Sequence, residues 1–455
     1  MQRSIREILE QYMVEEELSI SRFSQISTIN TGTLSRILKG LKPISLGQLQ
    51  LITNAMKLPQ DGLYEEYIEE CFASSSNLRR IRPFILRCAE LERLDCIEEV
   101  VGRLLEDRQY NTALFAIAEQ LFKQEKVKAA ALIYRQVAES ERYQHSERLA
   151  LCRYRLFSLQ LGEDLEENLL AATQFEPYTN RLPEMEQLEA LKQLMHIFGM
   201  VHKWPKVEAL AVQLQQLASS LYHLHGGSCR KEESLIQTAQ PLYYYILYAY
   251  LARATAHEQY GDYNKALEFV TLYANGANWI REKDEIAERI ISQFKEWATA
   301  NTYLYKVLSG HEEALTEYAK YIETRPDEIF VGLTHIIKAA NQYNYNIDPI
   351  LERFAPYLPS STMVNANYGM YNETVMAEKT VQFFCDLAAY RGKKNPKAAL
   401  NLVLEALQLS VRISSVRNII NSVVLFQEYS DHAGNQEKQR FTQLKTAFLD
   451  ESNMI

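Results

Sequence analysis

From about residue 77 onward this sequence repeats one pattern. Pairs of helical apolar stripes carry small residues where two helices must touch and aromatics where one pair must stack on the next. Leu114, Ile117, Ala118, Leu121, Ala130, Tyr134 and Val137 carry it in one unit, and Ala254, Gly261, Tyr263, Ala266 and Leu267 in another. A third has Ala314, Leu315 and Tyr318 ahead of Pro326, and a fourth has Ala398, Ala399, Leu400, Val403 and Ala406 after Pro396. Segments 154–177 and 194–220 read as degenerate members. A helix pair of this kind cannot bury its apolar face alone, so the chain is driven toward an array in which neighbours cover one another. The 16 glycines and 12 prolines among 455 residues are too few for a protein built on many turns and phosphate loops, and they suit long helices.

The spacing resembles that of tetratricopeptide repeats. At about 34 residues per unit, the chain after the first seventy residues holds about ten or eleven slots. The resemblance implies a right-handed α-solenoid whose first helices line a concave face. On that face the reading places Tyr243, Tyr244, Tyr248, Thr255, Glu258, Asn301, Tyr303, Asn341 and Asn344. Asn offers a donor and an acceptor that can clamp a peptide backbone, and Tyr gives an apolar wall with a polar tip. Packing within the array is the alternative role for each tyrosine.

The first seventy residues read differently. Residues 4–16 predict a helix with Ile5, Ile8, Leu9 and Tyr12 on one face. Ser19 or Ser21 can cap a second helix reaching about Ile26. Asn30 or Thr31 can cap a third that runs to Lys39 and stops at Gly40. Ser45 caps a fourth ending near Met56, and a fifth begins near Leu63. The charge is uneven. From Leu18 to Gln60 there is no Asp or Glu, while Arg22, Arg36, Lys39, Lys42 and Lys57 give +5. The whole chain is −9, which leaves −14 elsewhere. A basic island in an acidic protein is the footprint of a segment that meets phosphates.

The stretch from Leu18 to Gly40 resembles the phage-repressor (Cro/C1, or XRE) helix-turn-helix. Phe23, Ile29, Leu34 and Ile37 stand at apolar positions of that family, and Ser35, Arg36, Gly40 and Pro43 match its serine, basic, glycine and proline positions. Two residues depart: Ser24 replaces the usual Ala, and Thr28 replaces the usual turn Gly, at a cost if φ is positive there. The resemblance implies that the third helix enters the major groove, with Thr31, Gly32 and Arg36 at base edges. Arg36 can pair bidentately with a guanine, at about 1–3 kcal/mol of discrimination. Ser19, Arg22, Asn30, Thr33, Ser35, Lys39 and Lys42 are the candidates for phosphate contacts.

Together these readings give an all-α chain: a helix-turn-helix domain (1–72), a tetratricopeptide-like ligand-binding array (73–417) and C-terminal capping or dimerisation helices (418–455). That layout resembles the RRNPP family of peptide-sensing transcription regulators, and within it the arbitrium receptors of temperate phages. The resemblance implies a homodimer that binds double-stranded operator DNA and is switched by a short signalling peptide in the concave face. The sequence leaves the sign of the switch open. A protein-interaction scaffold with a vestigial helix-turn-helix is the alternative.

Enzyme readings find little footing. No Gly-rich phosphate loop, H-E-x-x-H or G-x-S-x-G is present, so no catalytic residue and no cofactor is expected. His223, His225 and Cys229 have an irregular spacing for zinc and read as a metal-free loop. The six cysteines form no C-x-x-C pair and read as buried thiols. The first twenty residues lack an apolar signal core. The longest uncharged stretch, Ser234 to Ala252, is interrupted by Gln237, Thr238, Gln240 and Pro241, so a cytoplasmic protein without a membrane span is expected.

Overall fold

The computed structural model describes residues 3–73, 78–144, 146–162, 164–224, 240–358, 373–413 and 415–452, and among them every regular element is helical. The chain divides into two compact units, one running to Lys206 and the other from Val207.

The first unit opens with five short helices: α1 (Ile5–Glu15), α2 (Ile20–Ser27), α3 (Thr31–Leu38), α4 (Leu46–Ala55) and α5 (Tyr64–Phe72). Local chemistry sets their starts. Ser4 forms a capping box with Glu7, and Ser45 forms one with Gln48. Ser19 accepts from the Arg22 amide, and Asn30 accepts from the amides of Gly32 and Thr33. Of the alternative caps, Ser19 and Asn30 are therefore the ones used. Between α2 and α3, Thr28 adopts φ 57° and ψ 14°. A β-branched residue thus occupies the left-handed region where glycine is free of strain. Ser24 secures this turn: its hydroxyl donates to the Ile29 carbonyl (2.6 Å) and accepts from the Thr31 hydroxyl (3.0 Å).

Phe23, Leu34, Ile37, Leu49 and Ile52 are fully buried and hold these helices together, each worth about 1.5–3 kcal/mol of transfer free energy. One polar clamp crosses that core. The Arg6 guanidinium forks onto both oxygens of Glu70 at 2.6 Å, and its Nε donates to the Ile37 carbonyl at the end of α3. Glu70 also accepts from the Ile44 amide. One ion pair thereby ties α1, α3, α5 and the loop before α4, with every strong partner satisfied.

Seven further helices follow in the first unit: α6 (Leu78–Glu90), α7 (Leu94–Leu104), α8 (Asn111–Lys123), α9 (Val127–Ser140), α10 (Glu147–Gln160), α11 (Leu165–Phe175) and α12 (Glu184–Met200). From α6 to α11, each packs on its successor or next but one. Phe84 of α6 meets Tyr64 and Tyr67 of α5 edge-on at 5.0 and 5.1 Å. Arg93 pairs with Asp61 and Arg103 with Glu69, so the α6–α7 hairpin is bonded directly to the five N-terminal helices. Ala118 and Ala130 are fully buried where α8 meets α9.

The helix α13 (Trp204–Leu224) contains the boundary between the units. The second unit then has α14 (Leu242–Gln259), α15 (Tyr263–Ala274), α16 (Glu285–Leu308), α17 (Ala314–Glu323), α18 (Pro326–Tyr343), α19 (Asp348–Arg353), α20 (Glu373–Gly392), α21 (Pro396–Arg412), α22 (Val416–Tyr429) and α23 (Asn435–Ser452). The helices α14, α16, α18, α20 and α22 pack side by side as a row, and α15, α17 and α21 fill the spaces behind it. Close approach needs small residues. A Cβ on Gly332 of α18 would lie 2.7 Å from the Ile322 side chain of α17. No helix among the described residues is long and apolar enough to cross a membrane.

The strained turn gives a direct test. Thr28→Gly should stabilise the N-terminal helices by about 1 kcal/mol, because the αL conformation costs a non-glycine residue roughly that much. Hydrogen exchange of the α2 and α3 amides measures it, and slower exchange in the variant is the expected result.

Candidate nucleic-acid interface and a buried polar row

Two regions hold side chains whose chemistry the fold leaves unspent. The first is the basic stretch of α2 and α3. Arg36 and Lys39 are exposed and Lys42 is half-buried, and none of their three side chains has a hydrogen-bond or ion-pair partner among the described residues. Arg22 is exposed and reaches only Gln25, at 3.0 Å. Thr31 and Gly32 are exposed at the start of α3, while Thr33 and Ser35 are half-buried on its flank. Gly32 keeps the cap tight, since a Cβ there would meet the Asn30 side-chain oxygen at 3.3 Å. Ser19 and Asn30 use their oxygens as caps, which fixes the helix ends rather than leaving those acceptors free. The fold thus gathers Thr31, Gly32, Arg36 and Lys39 on one short helix, with Arg22 on the helix before it.

The second region is the row in the second unit. Glu258 of α14 is its centre, with a side chain only 14% exposed. It accepts from the Tyr305 hydroxyl of α16 at 3.2 Å and from the Gln259 side-chain amide at 3.4 Å, and no Lys or Arg among the described residues reaches it as an ion pair. His335 of α18 lies 3.9 Å away, but burial, with Lys338 and Lys379 nearby, lowers its pKa to about 4, so it is neutral near pH 7. Burial raises the Glu258 carboxyl above the ordinary range, against the opposing pull of Tyr305 and Lys338. Asp386 of α20 is raised in the same way, with Gln382 its only side-chain donor among the described residues, at 3.0 Å. Asn341 donates to the Asp386 carbonyl at 2.8 Å, and its own buried oxygen has no partner; neither does His335 Nδ1. Buried polar atoms left in this state cost about 1–3 kcal/mol each unless something completes them.

A comparison within the molecule sharpens the point. In the first unit, Glu119 is also shielded, yet Arg155 forks onto it at 2.9 and 3.2 Å and Tyr134 donates to it. Burial pushes Glu119 up, but those partners outweigh it and hold it below its usual value. Glu258 has the hydroxyl and lacks the cation.

The other residues expected on this face are placed as follows. Tyr244 and Tyr248 are half-buried and stacked at 5.9 Å, and Thr255 lies one turn from Glu258 with its hydroxyl toward Leu251. Tyr243 is buried against Tyr222. Asn301 donates to the Tyr273 hydroxyl at 2.9 Å. Tyr303 faces Tyr321 of α17. Asn344 is the left-handed cap of α18, with φ 61°, and accepts from Lys393. The row therefore gathers Tyr244, Tyr248, Thr255, Glu258 and Asn341, whereas Tyr303 turns toward the second helices and Asn344 closes a helix end. Sequence reading missed Tyr305, His335 and Asp386, each carried on a helix distant in sequence from Glu258. Of the possible zinc set, His223 ends α13, and His225 and Cys229 lie outside the described residues.

No protein-family model matches this chain, and a search of curated proteins finds no significant match.

The raised Glu258 carboxyl has a definite pH signature. Its folded value lies above its unfolded one, so its contribution to stability is full at low pH and is lost as the pH rises through the folded value. Glu258→Gln should abolish that loss and make the second unit at least as stable as the wild type at pH 7, with no gain at pH 4. Urea unfolding at the two pH values, followed by α14 and α16 hydrogen exchange, checks it.

Proposed function

We propose that this chain is a DNA-binding transcription regulator of the helix-turn-helix class whose operator binding is switched by a short peptide held along the row α14–α20. The observation that carries the DNA half is the exposed, unpartnered Arg36 on α3, beside Lys39, in a 43-residue window without an acid. Such a guanidinium on a helix narrow enough for the major groove is suited to reading a guanine, and Thr31 and Gly32 leave the helix's N-terminal end low enough to approach the base edges. Arg22, Lys39 and Lys42, with Ser19, Asn30, Thr33 and Ser35, are suited to positioning on the phosphates. The acidic remainder disfavours wider contact with DNA.

The peptide half rests on the incomplete polar row. A peptide segment can supply what this row lacks: a donor for the Asn341 amide oxygen, a polar partner for the His335 ring nitrogen and a cationic donor for the Glu258 carboxyl. Tyr244 and Tyr248 give it an apolar wall. A second copy of the chain is the remaining partner. Val416, Ile420 and Val424 form an exposed apolar stripe at i, i+4 and i+8 on α22, and paired helix-turn-helix units read half-sites a helical turn apart. A regulator of this kind works where the DNA is, inside the cell.

Electrophoretic shift on DNA flanking the protein's own gene tests the reading. The wild type should give a specific shift whose affinity falls steeply with salt, and Arg36→Ala should weaken specific binding by about 1–3 kcal/mol while sparing non-specific binding. Absence of any shift at low salt would contradict it.

A further inference from the structure

The turn between α2 and α3 spends its hydroxyl protons in a fixed order. Ser24 lies half-buried on α2, with its Oγ 2.6 Å from the Ile29 carbonyl oxygen and 3.0 Å from Thr31 Oγ1. A carbonyl oxygen only accepts, so the single Ser24 proton goes to Ile29. The contact between the two hydroxyls is then made with the proton of Thr31, which has no second one to give. This bond draws Oγ1 back toward α2, and the other branch of the exposed Thr31 side chain is its Cγ2 methyl. Thr31 is the first residue of α3, the end that a helix-turn-helix brings to base edges. Beside it Gly32 has no side chain, and the Asn30 oxygen is occupied by the amides of Gly32 and Thr33. A free hydroxyl both donates and accepts, so it separates one base from another poorly. A methyl group fits one feature of the major groove, the C5-methyl of thymine.

We propose that Thr31 reads a thymine through its methyl group, and that Ser24 is the positioning residue that imposes this by taking up the Thr31 hydroxyl proton. The inference rests on the operator-binding reading above and adds to it the identity of one base. The two bonds of Ser24 also close the turn around Thr28, held at φ 57°, so the methyl is presented from a fixed backbone. Arg36, five residues on and with a guanidinium that has no partner among the described residues, supplies the donors for a guanine. Each half-site then holds a thymine at the start of α3 and a guanine farther along it.

The test selects duplexes from a random-sequence pool with the full-length protein, then replaces each thymine of the selected site in turn by uracil, which removes only the 5-methyl group. At one position the replacement should weaken wild-type binding about fourfold, the worth of roughly one buried methyl group. Thr31→Val keeps the methyl without a hydroxyl and should keep that difference. Thr31→Ser keeps the hydroxyl and its bond to Ser24 and should abolish the difference at that position alone. Ser24→Ala should relax the preference for thymine there while the guanine preference assigned to Arg36 stays; a purely structural role for Ser24 would weaken binding evenly and leave both preferences in place. A thymine–uracil difference that persists in Thr31→Ser, or is lost in Thr31→Val, would overturn the proposal and leave operator binding standing. So would indifference to uracil at every thymine, or an unchanged thymine preference in Ser24→Ala. Failure of the wild type to select any sequence would overturn the operator reading and this proposal with it.

Discussion

Most of the described helices are short or amphipathic, and the fold follows from the need to bury their apolar stripes against a neighbour. In the second unit that need is met by lining up α14, α16, α18, α20 and α22 and filling behind them with α15, α17 and α21. Packing of this sort brings the flanks of successive first helices together whether or not their side chains suit each other. Where they do, as with Glu119 and Arg155 in the first unit, the result is a satisfied ion pair. Around Glu258 the same geometry delivers a carboxyl without a cation, and an imidazole nitrogen and an amide oxygen without a hydrogen-bond partner among the described residues. Such a set stores unfavourable desolvation that a ligand can relieve, which is the thermodynamic condition for binding to be worth more than contact area alone.

The N-terminal helices use polar chemistry in the opposite way. The Arg6–Glu70 fork, the Ser24 hydroxyl and the Asn30 cap are all spent inside the fold, and they fix α3 from both ends. In the proposed regulator, rigid placement of this short helix would let the exposed Arg36 side chain contact DNA with less loss of backbone entropy. The α6–α7 hairpin is joined to the same body by the Arg93–Asp61 and Arg103–Glu69 ion pairs.

What could be read in the sequence was local. Caps at Ser19, Asn30 and Ser45, the stop at Gly40 and the small residues Ala118, Ala130 and Ala266 need only a few neighbours in the chain, and the all-α class follows from them. What escaped was long-range. Arg6 meets Glu70 across 64 residues and Glu258 meets Tyr305 across 47, and no periodicity announces either pair. Residue type does not announce backbone conformation either: Asn344, read as a peptide clamp, is the left-handed cap of α18. In the run Tyr243 to Tyr245, neighbours on a helix point about 100° apart, so Tyr243 and Tyr245 are core while Tyr244 reaches the row. Thr28 is the converse, a departure from the expected glycine that the backbone conformation makes costly.

The central claim is that occupancy of the row around Glu258 is coupled to DNA binding by α3. Its most direct measurement is the affinity of the full-length protein for a DNA fragment from beside its own gene, with and without peptides encoded by adjacent small reading frames. The comparison is made for the wild type and for Glu258→Gln. The account predicts that one peptide changes wild-type affinity by about 5–150-fold, the span of ordinary coupling free energies, and that the change is lost in Glu258→Gln. A peptide that binds the protein near Glu258 and leaves DNA affinity unchanged would contradict it.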